Sequence, residues 1–255
     1  MADFDDRQLR EIFQDLRETG APVAGLVNNA ELEQEILDFL AMLDGLKPLF
    51  LLGRGVDHPD WITGMLTLAQ AHDLTVIEGP FWDGTPFGGY PVWYADYNRS
   101  LLEPFRAHYI CRDPDIAMAA QSVCDAGGRV AMTEEARLLG YPECCVIGHY
   151  DRAARYHKAT LSMLARLGGR DQEFMRAMLE GGAALSPQTD SEIANMEAAL
   201  DIAPARNGSW NMCDNCSRTG GGASAALSAQ YYNLAVRVDP EWVAGITSSV
   251  GQPPR

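Results

Sequence analysis

The sequence predicts two halves of different architecture: an α/β N-terminal half, and a mainly helical, cysteine-bearing C-terminal half. Strand-like and helical patterns alternate over roughly the first 110 residues, as expected for a sheet covered by helices. After Pro114 nearly every patterned segment has helical periodicity. The composition changes near Gly127 and Gly128, so we expect one domain at residues 1–127 and a second at residues 128–255.

The N-terminal half alternates between helix and strand in chain order. Apolar residues recur at helical spacing in 4–17, 31–43 and 60–72. Short apolar runs typical of strands lie at 47–53, 74–78 and 107–111. The order strand, helix, strand between residues 47 and 78 matches a βαβ unit. We therefore expect a small parallel or mixed sheet with covering helices.

The segment between residues 79 and 98 combines aromatic side chains with glycines and prolines. This composition predicts a turn-rich loop around one short strand, Pro91–Ala95. The aromatic residues, which lie within 80–97, either pin the loop onto the sheet or form a lid that stacks on a planar ligand. The sequence leaves both interpretations open.

The C-terminal half consists mostly of predicted helices. They cover 115–126, 133–139, 142–167, 171–180, 191–200 and 223–238. Pro142 suits the start of a helix because its missing N–H would have no partner there. Cys144 and Cys145 are therefore expected in the first turn of the helix that Pro142 starts.

Charge and hydropathy disfavour two classes of partner. The net charge is −15, from 35 acidic and 20 basic side chains, which disfavours a large nucleic-acid surface. The chain has neither a basic and apolar leader nor an apolar stretch of ~20 residues, so we expect no membrane association. We expect a cytoplasmic protein, in a compartment where thiols stay reduced.

Four of the six cysteines form two closely spaced pairs, Cys144-Cys145 and Cys213-x-x-Cys216. Cysteine is usually retained for its reactivity rather than its packing, so the pairs predict a metal centre with these four residues as ligands. The N–H groups and dipole of a helix N-terminus favour thiolate, so we expect a lowered pKa for Cys144 and Cys145.

Three interpretations of the cysteine pairs remain. Adjacent residues on a helix project ~100° apart, which favours a [4Fe-4S] cluster, with separate iron atoms, over a single zinc ion. Zinc is the alternative metal, and a metal-free thiol enzyme that uses Cys144 or Cys145 as nucleophile is the third interpretation.

The other two cysteines are candidates for catalysis. Cys111 is placed near the C-terminal end of a predicted strand, and ligands bind at that edge of an open α/β sheet. Cys111 or Cys124 could serve as a persulfide carrier or a resolving thiol. The alternative interpretation for Cys111 is a buried structural thiol.

Residues from about 107 to 240 carry a family resemblance. Three segments carry it: Ile110-Cys111-Arg112-Asp113-Pro114, Leu138 to Val146 with its Gly-Tyr-Pro-Glu-Cys-Cys core, and Cys213-x-x-Cys216. Together they resemble an uncharacterised prokaryotic family with an L-G-Y-P-x-C-C element and a distal C-x-x-C. This resemblance implies a fold relation.

Two further families share part of the cysteine pattern. Assimilatory adenylyl-sulfate reductases bind a [4Fe-4S] cluster through a C-C pair and a distant C-x-x-C, which the four paired cysteines resemble. This chain lacks their C-terminal catalytic cysteine motif, so the likeness implies the cluster alone. The cysteine-rich domains of heterodisulfide reductases are similar at the spacing between Cys111 and Cys144, but the gap from Cys145 to Cys213 is too long for their pattern.

The leading prediction is an iron-sulfur protein that carries out redox or sulfur-transfer chemistry, as an oxidoreductase or sulfurtransferase. Its expected partners are a small-molecule substrate or a redox partner protein. The alternative of a different class is a zinc-stapled binding module without catalysis, in which the aromatic loop contacts the partner.

Overall fold

A computed structural model describes residues 4–53, 55–82, 89–101, 104–126, 128–167, 203–204 and 208–243, together with residues 191 and 194. In chain order the elements are α1 (Asp6–Gly20), α2 (Asn29–Leu43), β1 (Leu49–Leu52), α3 (Pro59–Ala71), β2 (Thr75–Trp82), α4 (Val92–Leu101), β3 (Phe105–Cys111), α5 (Pro114–Ala126), α6 (Gly128–Leu138), α7 (Glu143–Leu167), β4 (Ala203–Pro204), β5 (Asn211–Met212), α8 (Asp214–Thr219) and α9 (Gly222–Val238). The predicted fold class is confirmed: helices and a small sheet form the N-terminal half, and helices carry the paired cysteines. The predicted helix at 171–180 and most of the one at 191–200 lie outside the described residues.

The first two helices follow directly from the sequence pattern. Asp5 caps α1: its side chain accepts a hydrogen bond from the Gln8 N–H at 2.8 Å, and the Gln8 side chain accepts one from the Asp5 N–H at 2.9 Å. Helix α1 buries one apolar stripe, whereas α2 is buried on nearly all sides from Glu35 to Leu43. Helix α2 is therefore the central helix of the core.

The three-stranded sheet has the order β1-β3-β2, and both pairings are antiparallel. This pairing differs from the parallel or mixed sheet that the sequence predicts. Strands β1 and β2 do point the same way, as a strand, helix, strand unit requires, but they are not neighbours. The later strand β3 returns through α4 and fills the gap between them, which gives a split β-α-β arrangement.

The two faces of the sheet pack in different clusters. Phe50, Leu52 and Ile110 belong to the larger core, with helices α1, α2, α3 and α9. Tyr109 and Cys111 belong to a smaller cluster with α5 and the end of α6. Alternate residues of each strand therefore contact different helix layers, as the pleat requires.

The aromatic segment forms part of a strand and a helix. Strand β2 continues to Trp82, and residues 83–88 lie outside the described residues. The strand predicted at Pro91–Ala95 is wrong, because the Tyr94 and Ala95 N–H groups both donate to the Pro91 carbonyl and start α4. Tyr90 packs between the rings of Tyr94, at 5.0 Å, and His157, at 4.8 Å. These contacts join α4 to α7 and favour the packing interpretation of the aromatic residues.

The cysteine-bearing half shares its core with the N-terminal half. Tyr231, Leu234 and Val238 of α9 lie in the same cluster as Leu9 and Ile12 of α1. The domain boundary at residue 127 stays a prediction. Among the described helices, none combines the length and the apolar character that crossing a membrane requires.

Candidate metal centre

Cys144, Cys145, Cys213 and Cys216 converge in the structure, with all four Sγ atoms within 4.8 Å of one another. The first pair lies in the first turn of α7, as predicted, and the second pair flanks the start of α8. The four cysteines could therefore hold a metal ion. At least 68 positions separate any cysteine of the first pair from any cysteine of the second. The fold, rather than local sequence, therefore brings the two pairs together.

The Gly-Tyr-Pro turn before α7 positions the first pair. Gly140 has φ +74°, and a Cβ at this position would lie 2.9 Å from Lys47 Cβ, so only glycine fits both the conformation and the space. The Pro142 carbonyl then accepts a hydrogen bond from the Cys145 N–H at 2.8 Å, which starts the helix. Tyr141 packs on Trp210 beside the site.

The second pair is positioned by the short helix α8. Cys213 is its N-cap residue, and its carbonyl accepts from the Ser217 N–H at 2.9 Å. Gly220, with φ +60°, ends the helix and donates its N–H to the Cys216 carbonyl at 3.1 Å. One turn of helix thus presents both sulfurs of the C-x-x-C pair to α7.

The distances between sulfurs are short. Cys144 Sγ lies 3.9 Å from Cys145 Sγ and 3.7 Å from Cys216 Sγ. The Cys213 N–H donates to Cys145 Sγ at 3.4 Å. The two adjacent sulfurs therefore lie close enough to reach a single ion, although consecutive residues on a helix project ~100° apart.

Burial of the site is uneven. Cys145, Cys213 and Cys216 are buried within the larger core, whereas Cys144 is exposed. Trp210 forms part of the buried side, with its ring 5.6 Å from that of Tyr231. The site therefore has an apolar floor and one side open to solvent, at Cys144.

The four thiols differ in their ionisation. Cys144 is exposed as a residue, but partial desolvation of its sulfur, together with the neighbouring thiols of Cys216 and Cys145, raises its pKa to about 12. Burial also raises the pKa of Cys145. Burial opposes ionisation of Cys213 as well, but hydrogen bonds from the Cys216 backbone and from the other thiols outweigh it and lower the pKa of Cys213. The predicted lowering of the pKa at the start of α7 is therefore wrong, and the negative charge is favoured at Cys213.

Two residues that the sequence analysis missed adjoin the cysteines. Gly148 and Arg152 follow Cys145 by three and seven positions on α7, which places them on the same helix face. A Cβ on Gly148 would lie 2.7 Å from Cys213 Cβ and 3.7 Å from Arg152 Nη1. Their helical spacing from Cys145 is a sequence signal for both residues, but it does not by itself distinguish them from ordinary residues of a long helix.

Cys111 and Cys124 lie outside the four-cysteine group. Cys111 is buried in β3, and burial with the nearby Asp113 raises the pKa of its thiol to about 11. The rule that placed Cys111 at a ligand-binding edge applies to parallel strands, whereas β3 is antiparallel to both neighbours. The catalytic role of Cys111 stays a prediction.

Cys124 lines a shallow groove between α5 and β2. Its Sγ lies 3.7 Å from the Glu78 carbonyl, and burial raises the pKa of its thiol. Phe81 and Arg106 line the same groove, whose volume is about 650 Å³. A raised pKa disfavours the thiolate form that sulfur transfer needs, and the catalytic role of Cys124 also stays a prediction.

Comparison with protein-family models, with curated proteins and with solved structures finds no match to this chain. The chemistry of the site must therefore be argued from its donor set. Four thiolates suit a tetrahedral zinc ion or an iron-sulfur centre, because both prefer sulfur ligands.

Proposed function

We propose that the protein binds a single metal ion, zinc, through Cys144, Cys145, Cys213 and Cys216. A tetrahedral zinc ion with Zn–S bonds of about 2.3 Å holds its sulfurs about 3.8 Å apart. The distances of 3.7 and 3.9 Å from Cys144 Sγ match this spacing, and no pair of the four sulfurs exceeds 4.8 Å. This spacing is the observation that carries the proposal.

A [4Fe-4S] cluster places each cysteine sulfur on a different iron, which spreads the four sulfurs to roughly 6 Å. The described site would have to open by more than 1 Å between every pair to hold one. The iron-sulfur centre, with its redox or sulfur-transfer chemistry on a small substrate, stays a prediction from the cysteine pattern. The resemblance to the L-G-Y-P-x-C-C family is equally a proposal.

The proposed role of the zinc ion is structural. Three of its four ligands are buried in the larger core, as in closed zinc sites whose binding contributes to folding. The ion would join the start of α7 to α8 across a long stretch of chain. The ion would stabilise the fold because it binds the folded chain, in which the four sulfurs are assembled, far more tightly than the unfolded chain.

Cobalt(II) tests the proposed geometry because a tetrahedral tetrathiolate site gives it intense visible absorption. We expect this spectrum on adding cobalt to metal-free protein, and its loss on adding one equivalent of zinc. We expect Cys145→Ser to weaken zinc binding by at least about 100-fold, more than loss of an outer-shell partner costs.

Cys124→Ser is the matched control because it removes a thiol outside the four-cysteine group. It should keep the cobalt spectrum and the zinc affinity of the wild type. Equal zinc affinity in Cys145→Ser and Cys124→Ser would contradict the proposal, and so would a cobalt spectrum typical of octahedral oxygen ligation.

A further inference from the structure

Arg152 is a buried cation beside the proposed metal site. It lies on α7 two turns after Cys145, and it is 6 % exposed. Side chains on a helix lean towards its N-terminus, so the long side chain of Arg152 extends back along α7 towards the cysteines. An arginine is rarely buried to this degree unless it is paired.

Gly148 leaves room for both Cys213 and the Arg152 side chain beside α7. The position that a Cβ of Gly148 would occupy is 3.7 Å from Arg152 Nη1 and 2.7 Å from Cys213 Cβ. Arg152 Nη1 therefore lies at most about 6.4 Å from Cys213 Cβ, with the bare backbone of Gly148 beside both. This close approach puts a fixed positive charge next to one of the four proposed ligands.

The charge of Arg152 is poorly balanced by the described residues around it. Among the described residues Arg152 forms an ion pair with Asp214, at 3.8 Å, and the Asp214 side chain is 71 % exposed. Arg152 Nη2 is buried and has no hydrogen-bond partner among the described residues. A buried cation with so little compensation is costly, and this cost indicates an additional negative charge next to it.

We propose that Arg152 balances the charge of the metal-bound tetrathiolate. Four thiolates and one divalent ion carry a net charge of −2, and Arg152 supplies a positive charge that water screens poorly. This inference rests on the proposed function of the four cysteines. Arg152 is a positioning residue: it stabilises the charged site without binding the metal.

Arg152→Met tests the proposal because methionine keeps much of the side-chain volume and removes the charge. We expect zinc affinity, measured by competition with a chromophoric chelator, to fall by about 10- to 100-fold. The loss should persist when the salt concentration is raised from about 0.1 to 0.5 M, because a buried charge is weakly screened. Arg152→Lys should retain most of the affinity.

The stability of Arg152→Met with and without zinc distinguishes a charge-balancing role of Arg152 from a packing role. In EDTA, Arg152→Met should have a urea midpoint equal to or higher than that of the wild type, because the uncompensated charge is gone; with zinc its midpoint should be lower. Arg155→Met, which removes an exposed arginine of the same helix, is the control and should change neither zinc affinity nor stability.

Several results would overturn the inference. If the wild type binds zinc and Arg152→Met binds it equally tightly, the inference fails and the proposed function stands; if the wild type binds no zinc, both fail. Equal destabilisation of Arg152→Met with zinc and with EDTA, or failure to fold in EDTA, would show a packing role. Stabilisation of the metal-free wild type, but not of Arg152→Met, by sulfate would assign Arg152 to an anion site instead.

Discussion

At Gly148 the absence of a side chain lets Cys213 contact helix α7. The four ligands themselves could be predicted from the sequence, because two close cysteine pairs are a recognisable pattern. Gly148 and Arg152 could not be found in that way, since a glycine and an arginine on a long helix have many ordinary roles. Their importance depends on Cys213, which the fold brings from a distant part of the chain.

Gly148→Ala should weaken zinc binding by about tenfold or more. The new methyl group would lie 2.7 Å from Cys213 Cβ, and overpacking of this kind costs about 1–3 kcal/mol. Alanine would favour the helix itself by about 1 kcal/mol, so the clash must displace Cys213 for affinity to fall. Competition with a chromophoric chelator measures the effect.

Gly221→Ala is the matched control for this substitution. Gly221 also adjoins the site, but its backbone is extended and a Cβ there would meet nothing closer than 3.8 Å. It should bind zinc as the wild type does. Unchanged affinity in Gly148→Ala would show that Cys213 moves freely and that the close approach is not required.

At the scale of elements, the pairing of strands is what the sequence could not provide. The segments that became β1, α3 and β2 have the expected order, but periodicity does not reveal which strand lies next to which. Strand β3 separates β1 from β2 because the chain returns between them. The sequence pattern did not predict the helix at Val92–Leu101 because its aromatic residues favour strands locally. In the fold, Tyr94 of this helix packs on Tyr90, whose ring contacts His157 of α7.

Glu35 joins helix α2 to the segment before α3. Its carboxylate accepts hydrogen bonds from the Gly55 and Val56 N–H groups, at 3.0 and 2.8 Å, and from Trp61 Nε1 at 2.6 Å. Burial nevertheless raises the pKa of Glu35 to about 7. The folded protein therefore holds this proton more tightly than the unfolded chain does.

This pKa predicts a pH dependence of stability. The contribution of Glu35 is fully present below about pH 4.5 and is lost as the pH rises through about 7. A pKa raised from 4.5 to about 7 corresponds to about 3 kcal/mol. The free energy of unfolding of Glu35→Gln, measured with urea between pH 5 and 8, should not show this decrease with pH. The variant should be less stable overall because its amide N–H groups face the Trp61 donor.

Glu31→Gln, at an exposed position of the same helix, should keep the pH dependence of the wild type. Equal pH slopes in Glu35→Gln and the wild type would contradict the raised pKa. The comparison of slopes is independent of the absolute stability of either variant.

At the scale of the whole molecule, the proposed zinc site belongs to the larger core of the protein. The three buried cysteines lie in the same apolar cluster as α1, α2 and α9. The fold class could be predicted because it depends on local periodicity along the chain. The sequence could not predict that both halves share one core, because this depends on contacts between residues more than 200 positions apart. One such contact is the hydrogen bond that Trp242 Nε1 donates to Glu33.

Removal of the metal should therefore affect the whole described core. We expect EDTA to lower the thermal midpoint of the wild type by several degrees, in one cooperative transition, because structural zinc contributes to folding. Circular dichroism at a helical wavelength measures this change. Cys145→Ser should show the lower midpoint with or without EDTA, and an identical midpoint for the wild type in both conditions would contradict a structural role.

Native mass spectrometry of the protein purified without oxygen is the measurement to make first. The proposed site predicts a mass increase of one zinc ion per chain, which disappears in Cys145→Ser and persists in Cys124→Ser. A mass increase of four iron and four sulfide ions per chain would contradict the single-ion site and would support the iron-sulfur prediction instead.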